Sequence, residues 1–269
     1  MADPTAKPVT AEASVPIPAA TILLLRDGPE GLEVFMVVRH HQIDFASGAL
    51  VFPGGKLDRQ DEDERVLSRL AAYPASTPIQ SKLRAAAIRE VFEESGILLA
   101  RDRLGATLTL DRHSEAWRAG LNAQSLTMAE IVSTGDLTLA SDDLVHYSHW
   151  ITPPMMPKRF DTHFYLARVP AGQIADHDGH ENVDSVWIRP KQVIQDAENN
   201  TRTVIFPTLS NVVRLAQYNS VAAAFAGAQA RPVEPIMPWS EKRADGRYVC
   251  IPQDLGYSLY EQRLPERAG

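Results

Sequence analysis

Glu90, Glu93 and Glu94 place three carboxylates within five residues, and Arg89 stands directly before them. In a helix each residue turns by about 100°, so Glu90 and Glu94 are i,i+4 neighbours with Glu93 on the same side. Three like charges on one patch destabilise a bare helix, which implies a compensating partner. Hard oxygen ligands suit Mg²⁺ or Mn²⁺, and the usual anionic partner of Mg²⁺ is phosphate. The implied chemistry is metal-assisted attack on a phosphate group. A bare E-x-x-E-E cluster is more often a solvated helix face, so the surrounding pattern decides.

That pattern is specific. Residues 89–97 read Arg-Glu-Val-Phe-Glu-Glu-Ser-Gly-Ile, and Phe52-Pro53-Gly54-Gly55-Lys56-Leu57-Asp58 stands upstream. The glycine pair allows a sharp turn and a close backbone approach ahead of the helix. Together the two segments resemble the Nudix box, G-x5-E-x7-R-E-U-x-E-E-x-G-U with U aliphatic, of the Nudix hydrolases. Counted from Gly55, Asp61 holds the position of the first box glutamate. Between it and Arg89 lie residues 62–88, 27 residues where the box has 7. The extra segment, about 62–80, reads as a short charged helix followed by a Pro/Ser/Thr loop. Loop-closure entropy grows slowly with length, so the fold tolerates it.

The resemblance reaches further. Arg39, Gly48 and Phe52-Pro53-Gly54-Gly55 match the spacing of the segment before the box in coenzyme A diphosphatases, with His40 and Asp44 departing from that pattern. Residues 150–153, 157–162 and 206–208 resemble the peroxisomal-type coenzyme A diphosphatase branch, which also carries an insertion inside its box. The resemblance implies an α+β fold, an α/β/α sandwich around a mixed sheet, whose box helix presents Glu90, Glu93 and Glu94 to the substrate's diphosphate through Mg²⁺ or Mn²⁺. Arg89, i,i+4 from Glu93, would orient it. The water's proton would pass to Glu93, to Glu94, or to Glu181 in the acidic loop 176–181; the family loop often supplies a ligand or base, and a plain solvated residue is the alternative. Gly54 and Gly55 would approach the substrate. Arg39 and Arg159 are read as phosphate contacts or, equally, surface charges. The expected reaction is hydrolysis of a diphosphate in a nucleoside diphosphate derivative, with coenzyme A or acyl-coenzyme A first. ADP-ribose, NADH or a nucleotide sugar is the alternative, as is a non-catalytic regulator.

The elements that must position these residues follow from periodicity. Apolar runs at 19–25, 34–39 and 49–52 read as strands, and a helix over 81–94 turns Ala85, Ile88, Val91 and Phe92 away from the glutamates. Gly96 ends it, and 97–99 is expected to open a strand. Helices are expected at 112–122 and 127–133, strands at 146–152, 162–169 and 183–188, and a helix from Pro190. In a strand, His146 and His149 fall on opposite faces, so a shared metal is not expected. Helices follow residue 200, and a hairpin forms around Ala244-Asp245-Gly246. The domain assignment is a tail at 1–18, the main domain at 19–205, and a C-terminal extension at 206–269 packed on it.

Composition is that expected of an ordinary soluble globular protein. The 269 residues are 44% hydrophobic and 23% charged, with net charge −7. That charge argues against nucleic acid or an anionic membrane as partner, because phosphate backbones call for basic patches. The expected partners are a small diphosphate and, at most, a second copy of the chain. The single cysteine, Cys250, cannot form an internal disulfide and is read as buried filler in a cytoplasmic protein. No run approaches the ~20 apolar residues of a membrane span.

Overall fold

Alternation along the first strand sorts the whole molecule into layers. In this computed structural model, which describes residues 14–39, 48–73, 77–110, 112–178 and 182–265, β1 spans Ile17–Gly28. Its Ala20, Ile22 and Leu24 enter one apolar cluster, and Leu23 and Leu25 enter another on the opposite face. Period-2 side chains buried on both faces require a layer on each side. The chain continues through β2 (Gly31–Arg39), β3 (Leu50–Val51), β4 (Gly54–Lys56), α1 (Glu64–Leu67) and α2 (Pro78–Ser95). Next come β5 (Ala100–Arg101), α3 (Arg112–Asn122), α4 (Met128–Thr134), β6 (Thr138–Leu139), β7 (Val145–Ile151), β8 (Phe160–Arg168) and β9 (Asn182–Ile188). The remainder holds α5 (Pro190–Glu198), α6 (Phe206–Leu215), α7 (Val221–Gln229), β10 (Pro235–Ile236), β11 (Trp239–Arg243), β12 (Gly246–Cys250) and β13 (Glu261–Arg263).

The central sheet has the order β10-β7-β8-β1-β2-β3, with β4 also on β1 and β9 on β2. It is mixed: β1 runs parallel to β8 and β10 to β7, while the other pairs are antiparallel. Residues of α2, α3 and α4 fill the cluster on one face; α5, α6 and α7 supply the other. The architecture is the expected α/β/α sandwich. No helix among the described residues is long and apolar enough to cross a membrane.

The segment after residue 205 is not a separate layer. Val212, Leu215, Val221 and Ala224 share a cluster with Leu23 and Met36, and β10 extends the central sheet beside β7. The expected hairpin is β11–β12, and β13 joins it as a third strand. Cys250 is free and buried there.

Three expectations shift. Ile17 and Pro18 already pair with Phe160 and Asp161, so the tail does not extend to residue 18; residues 1–13 lie outside the described residues. Residues 97–99 form no strand, because the Gln173 side chain accepts from the Leu98 N–H and donates to its carbonyl, taking a strand partner's place. The box helix opens at Pro78 rather than 81, since Thr77 and Gln80 form a reciprocal capping box and proline tolerates the first turn.

Candidate active site

The box helix α2 is held almost on all sides. Ala85, Ala86, Ile88, Val91 and Phe92 are buried against the sheet, each large apolar side chain contributing about 1.5–3 kcal/mol. Gly96, at φ 73°, closes the helix in the left-handed region where a Cβ would be strained. Arg118 donates to the Glu93 carbonyl at 3.0 Å, placing a cation at the helix C-terminus. Arg84 is buried too, donating to the carbonyls of Ser141 and Leu144 and stacking on Tyr73.

Arg89 organises the carboxylates. Its Nε and Nη2 donate to the two oxygens of Asp61 at 2.8 and 2.9 Å, a bidentate pair with both side chains almost wholly buried. Its Nη1 lies 2.8 Å from Glu90 and 3.1 Å from Glu93, and Nη2 also donates to the Lys56 carbonyl. Asp61 additionally accepts the Asp58 N–H. The residue at the first box position thus reaches the box helix in spite of the long segment after it, because a 3-10 turn at Arg59–Glu62 presents Asp61 to Arg89. Burial raises the Asp61 carboxyl in spite of Arg89, and burial also works against the Arg89 charge, but the surrounding carboxylates outweigh it and hold the guanidinium protonated.

The glycine pair fits against Glu94 and Glu90. Gly54 N–H donates to Glu94 at 3.2 Å, and a Cβ on Gly55 would lie 2.4 Å from a Glu90 oxygen. A Cβ on Gly54 would instead meet the Ala20 carbonyl at 2.4 Å. These two neighbours differ in how easily they yield. Gly54→Ala is expected to cost about 1–3 kcal/mol in urea unfolding, because backbone must move. Gly55→Ala is expected to leave stability near wild type and weaken Mn²⁺ binding about 10–100-fold, because only the Glu90 carboxylate must move.

Three carboxylates therefore share a single arginine, and a fourth, Glu94, is held beside them by the Gly54 N–H. Burial, reinforced by Glu93 and opposed by Arg89, pushes Glu90 up to about 7. This excess of negative charge is the donor chemistry a hard dication suits. The glutamates are not drawn together as tightly as ligands around an ion: the one trio of ligand atoms within 4.8 Å among the described residues is His149, Asp161 and His163. A raised folded-state pKa adds stability that is complete below the unfolded value of 4.5 and lost as pH rises through about 7. In chelator, wild type should therefore lose on the order of 3 kcal/mol relative to Glu90→Gln between those limits, and Mn²⁺ should restore it. The comparison cancels His146 and His163, whose shifts run the opposite way.

The remaining sequence candidates separate. Arg39 ends β2, where the ladder to β9 slips by a residue, and its carbonyl accepts the Gly48 N–H. Arg159 is buried and donates to the carbonyls of Thr152 and Ser14, which ties down the turn before β8 and the approach to β1. Its contacts are those of a backbone clamp rather than an open phosphate contact. Glu181, His40 and Asp44 lie outside the described residues.

The histidines overturn an expectation. A bulge between His146 and Ser148 inserts one residue into β7, so Tyr147 and Ser148 are both buried and the parity inverts. His146 and His149 then fall on one face, where both rings stack on His163 of β8 at 5.0 and 3.9 Å. Burial, with the neighbouring imidazoles, lowers His146 to about 3 and His163 to about 4, so both are neutral.

Comparison with known proteins agrees with this geometry. The curated relatives include putative nudix hydrolase 7 of Caenorhabditis elegans, 28% identical over 192 residues, 68% of this chain and 56% of that protein. Human acyl-coenzyme A diphosphatase NUDT19 is 24% identical over 273 residues, 85% of this chain and 73% of that one. The chain thus spans little more than half of the first relative's length. Among solved structures, a NUDIX hydrolase from Alicyclobacillus acidocaldarius superposes with a TM-score of 0.68 at 26% identity, covering 79% of this chain and 96% of that one. The family model described as the NUDT19 Nudix domain matches residues 72–215, more than half of the chain, and so takes in the helix on which Arg89 gathers Glu90 and Glu93: the chain belongs to that family of Nudix hydrolases.

Proposed function

We propose that this chain hydrolyses the diphosphate linkage of a nucleoside diphosphate derivative, with coenzyme A or an acyl-coenzyme A as substrate. The observation that carries the reaction is the set of three carboxylates on Arg89, with Glu94 beside them on the Gly54-Gly55 bend. The similarity to acyl-coenzyme A diphosphatases supports the substrate. Glu90, Glu93 and Glu94 would hold Mg²⁺ or Mn²⁺. When bound, the dication supplies charge neutralisation on the diphosphate and lowers the pKa of water.

The chain's own groups do the rest. Arg89 acts as a positioning residue, fixing Glu90 and Glu93 from the buried Asp61 anchor. Glu94, held by the Gly54 N–H, accepts the proton of the attacking water. The water oxygen bonds to one phosphorus, the bridging P–O bond breaks, and the bridging oxygen leaves with the other phosphate. Gly54 and Gly55 let the bend pack directly against β1 and the Glu90 carboxylate. A second reading keeps this chemistry on ADP-ribose, NADH or a nucleotide sugar, because Asp44 puts an anion where the coenzyme A pattern has an arginine.

A panel of these diphosphates with Mg²⁺ or Mn²⁺, read by mass spectrometry of the products, tests both. Coenzyme A cleaved to 3′,5′-ADP and phosphopantetheine at the highest kcat/KM is the expected result. Faster cleavage of ADP-ribose, NADH or a nucleotide sugar establishes the second reading. Binding without any product from any member removes both.

A further inference from the structure

Outside the box, one cluster has the chemistry of a metal centre. His149 of β7 and Asp161 and His163 of β8 each offer a ligand atom within 4.8 Å of the other two. The Nε2 atoms of both histidines approach the same Asp161 oxygen, His149 in hydrogen-bond contact and His163 at 3.8 Å. The bulge in β7 makes this possible, because it sets His149 directly across from His163 with His146 on the same face.

We propose that His149, Asp161 and His163 form a binding site for a first-row transition dication such as Zn²⁺, distinct from the all-carboxylate site on α2. Two imidazoles and a carboxylate suit Zn²⁺, Co²⁺ or Ni²⁺, whereas Mg²⁺ prefers oxygen alone. The ligand atoms of tetrahedral zinc stand about 3.4 Å apart, given bond lengths of ~2.0–2.2 Å, so small rotamer changes suffice. His146 completes the arrangement. Its Nε2 lies 3.0 Å from His163 Nδ1, and in such a contact one ring donates and the other accepts. With the proton on His163 Nδ1, its Nε2 is free to bind a cation together with the Asp161 oxygen 3.8 Å away. A ligand histidine whose other nitrogen is hydrogen-bonded is the usual support of such sites. The cluster is open to an ion, with side-chain exposures of 16% for His149, 37% for Asp161 and 15% for His163.

Its position gives it consequence. His163 pairs with Ala20 in β1, and Ala20 pairs with Gly55 in β4. Tyr165, on the same face of β8 as His163, belongs to the cluster that holds Val91 and Phe92 of α2. The site therefore shares a sheet face with the box helix, one strand beyond the glycine bend. It does not depend on the diphosphatase reading.

Equilibrium dialysis of the full chain against Zn²⁺, in excess Mg²⁺ to fill the carboxylate site, is the test. One tightly held equivalent is expected in wild type and in Glu90→Gln. Asp161→Asn and His163→Ala should lose it, and His146→Gln should weaken it about 10–100-fold. Co²⁺ in place of Zn²⁺ should give the intense visible bands of a four-coordinate nitrogen site, absent from Asp161→Asn. If His163→Ala does not fold, Asp161→Asn decides, since its carboxylate is partly exposed. Equal zinc uptake by wild type and Asp161→Asn, or loss of the zinc in Glu90→Gln, overturns the proposal.

Discussion

Arg89→Met should lower the stability of the ion-free protein by about 3–5 kcal/mol, the cost typical of breaking a buried ion pair from one side. The side chain of Arg89 is 5% exposed and that of Asp61 1%, so water cannot replace the lost contacts. The variant leaves Asp61 with only the Asp58 N–H, leaves the Lys56 carbonyl without this donor, and removes the cation that Glu90 and Glu93 share. Methionine fills similar volume, so the loss reports charge rather than a cavity. Adding Asp61→Leu should recover a large part of it, because replacing both members of a buried pair by apolar groups is often near neutral. Urea unfolding in chelator measures both variants. A loss below about 1 kcal/mol would mean that Asp61 is solvated or protonated in the folded chain and that the anchor is not electrostatic. Saturating Mn²⁺ should stabilise the single variant more than wild type, since it returns positive charge to Glu90 and Glu93.

What the sequence made legible follows from which interactions are local. The box helix could be read because its caps, its apolar spacing and its glutamates all lie within one continuous segment, with only its first turn misplaced. The Asp61–Arg89 pair could not be derived from spacing, because 27 residues between them leave their register free. What fixes it is the 3-10 turn after Asp58, a local signal, together with the return of α2 along β1 and β4, which is tertiary. The layer order around β1 was implied by apolar runs and family resemblance together. The two-residue strand β10, by contrast, exists only because β7 offers it an edge. The histidine cluster was missed for a related reason. Strict alternation separates His146 from His149, and nothing in Val145-His146-Tyr147-Ser148 announces an extra residue. The available clue was His163, which any hairpin joining 146–152 to 162–169 brings close to His149. Residues 97–99 show the same limit: an apolar run reads as a strand, yet its partner is the amide of Gln173, 75 residues away.

Glu94→Gln should reduce kcat by about 10²–10⁴-fold, the range for removing a positioned general base, with little change in the unfolding midpoint. The substitution preserves volume, and the Gln oxygen accepts the Gly54 N–H as the carboxylate does at 3.2 Å. What it removes is the negative charge and the capacity to take a proton. Glu90→Gln separates these two roles. Glu90 lies in contact with Arg89 and against Gly55, where it would hold the metal, so its loss should raise the Mn²⁺ concentration needed for half-maximal rate and be largely rescued at saturation. A base cannot be rescued that way: the Glu94→Gln rate should stay low at every Mn²⁺ concentration. Recovery of Glu94→Gln by excess Mn²⁺ would leave Glu94 a ligand alone and move the proton transfer to Glu93 or Glu181. Full turnover in Glu94→Gln without added metal beyond the wild-type requirement would place the chemistry away from this helix altogether.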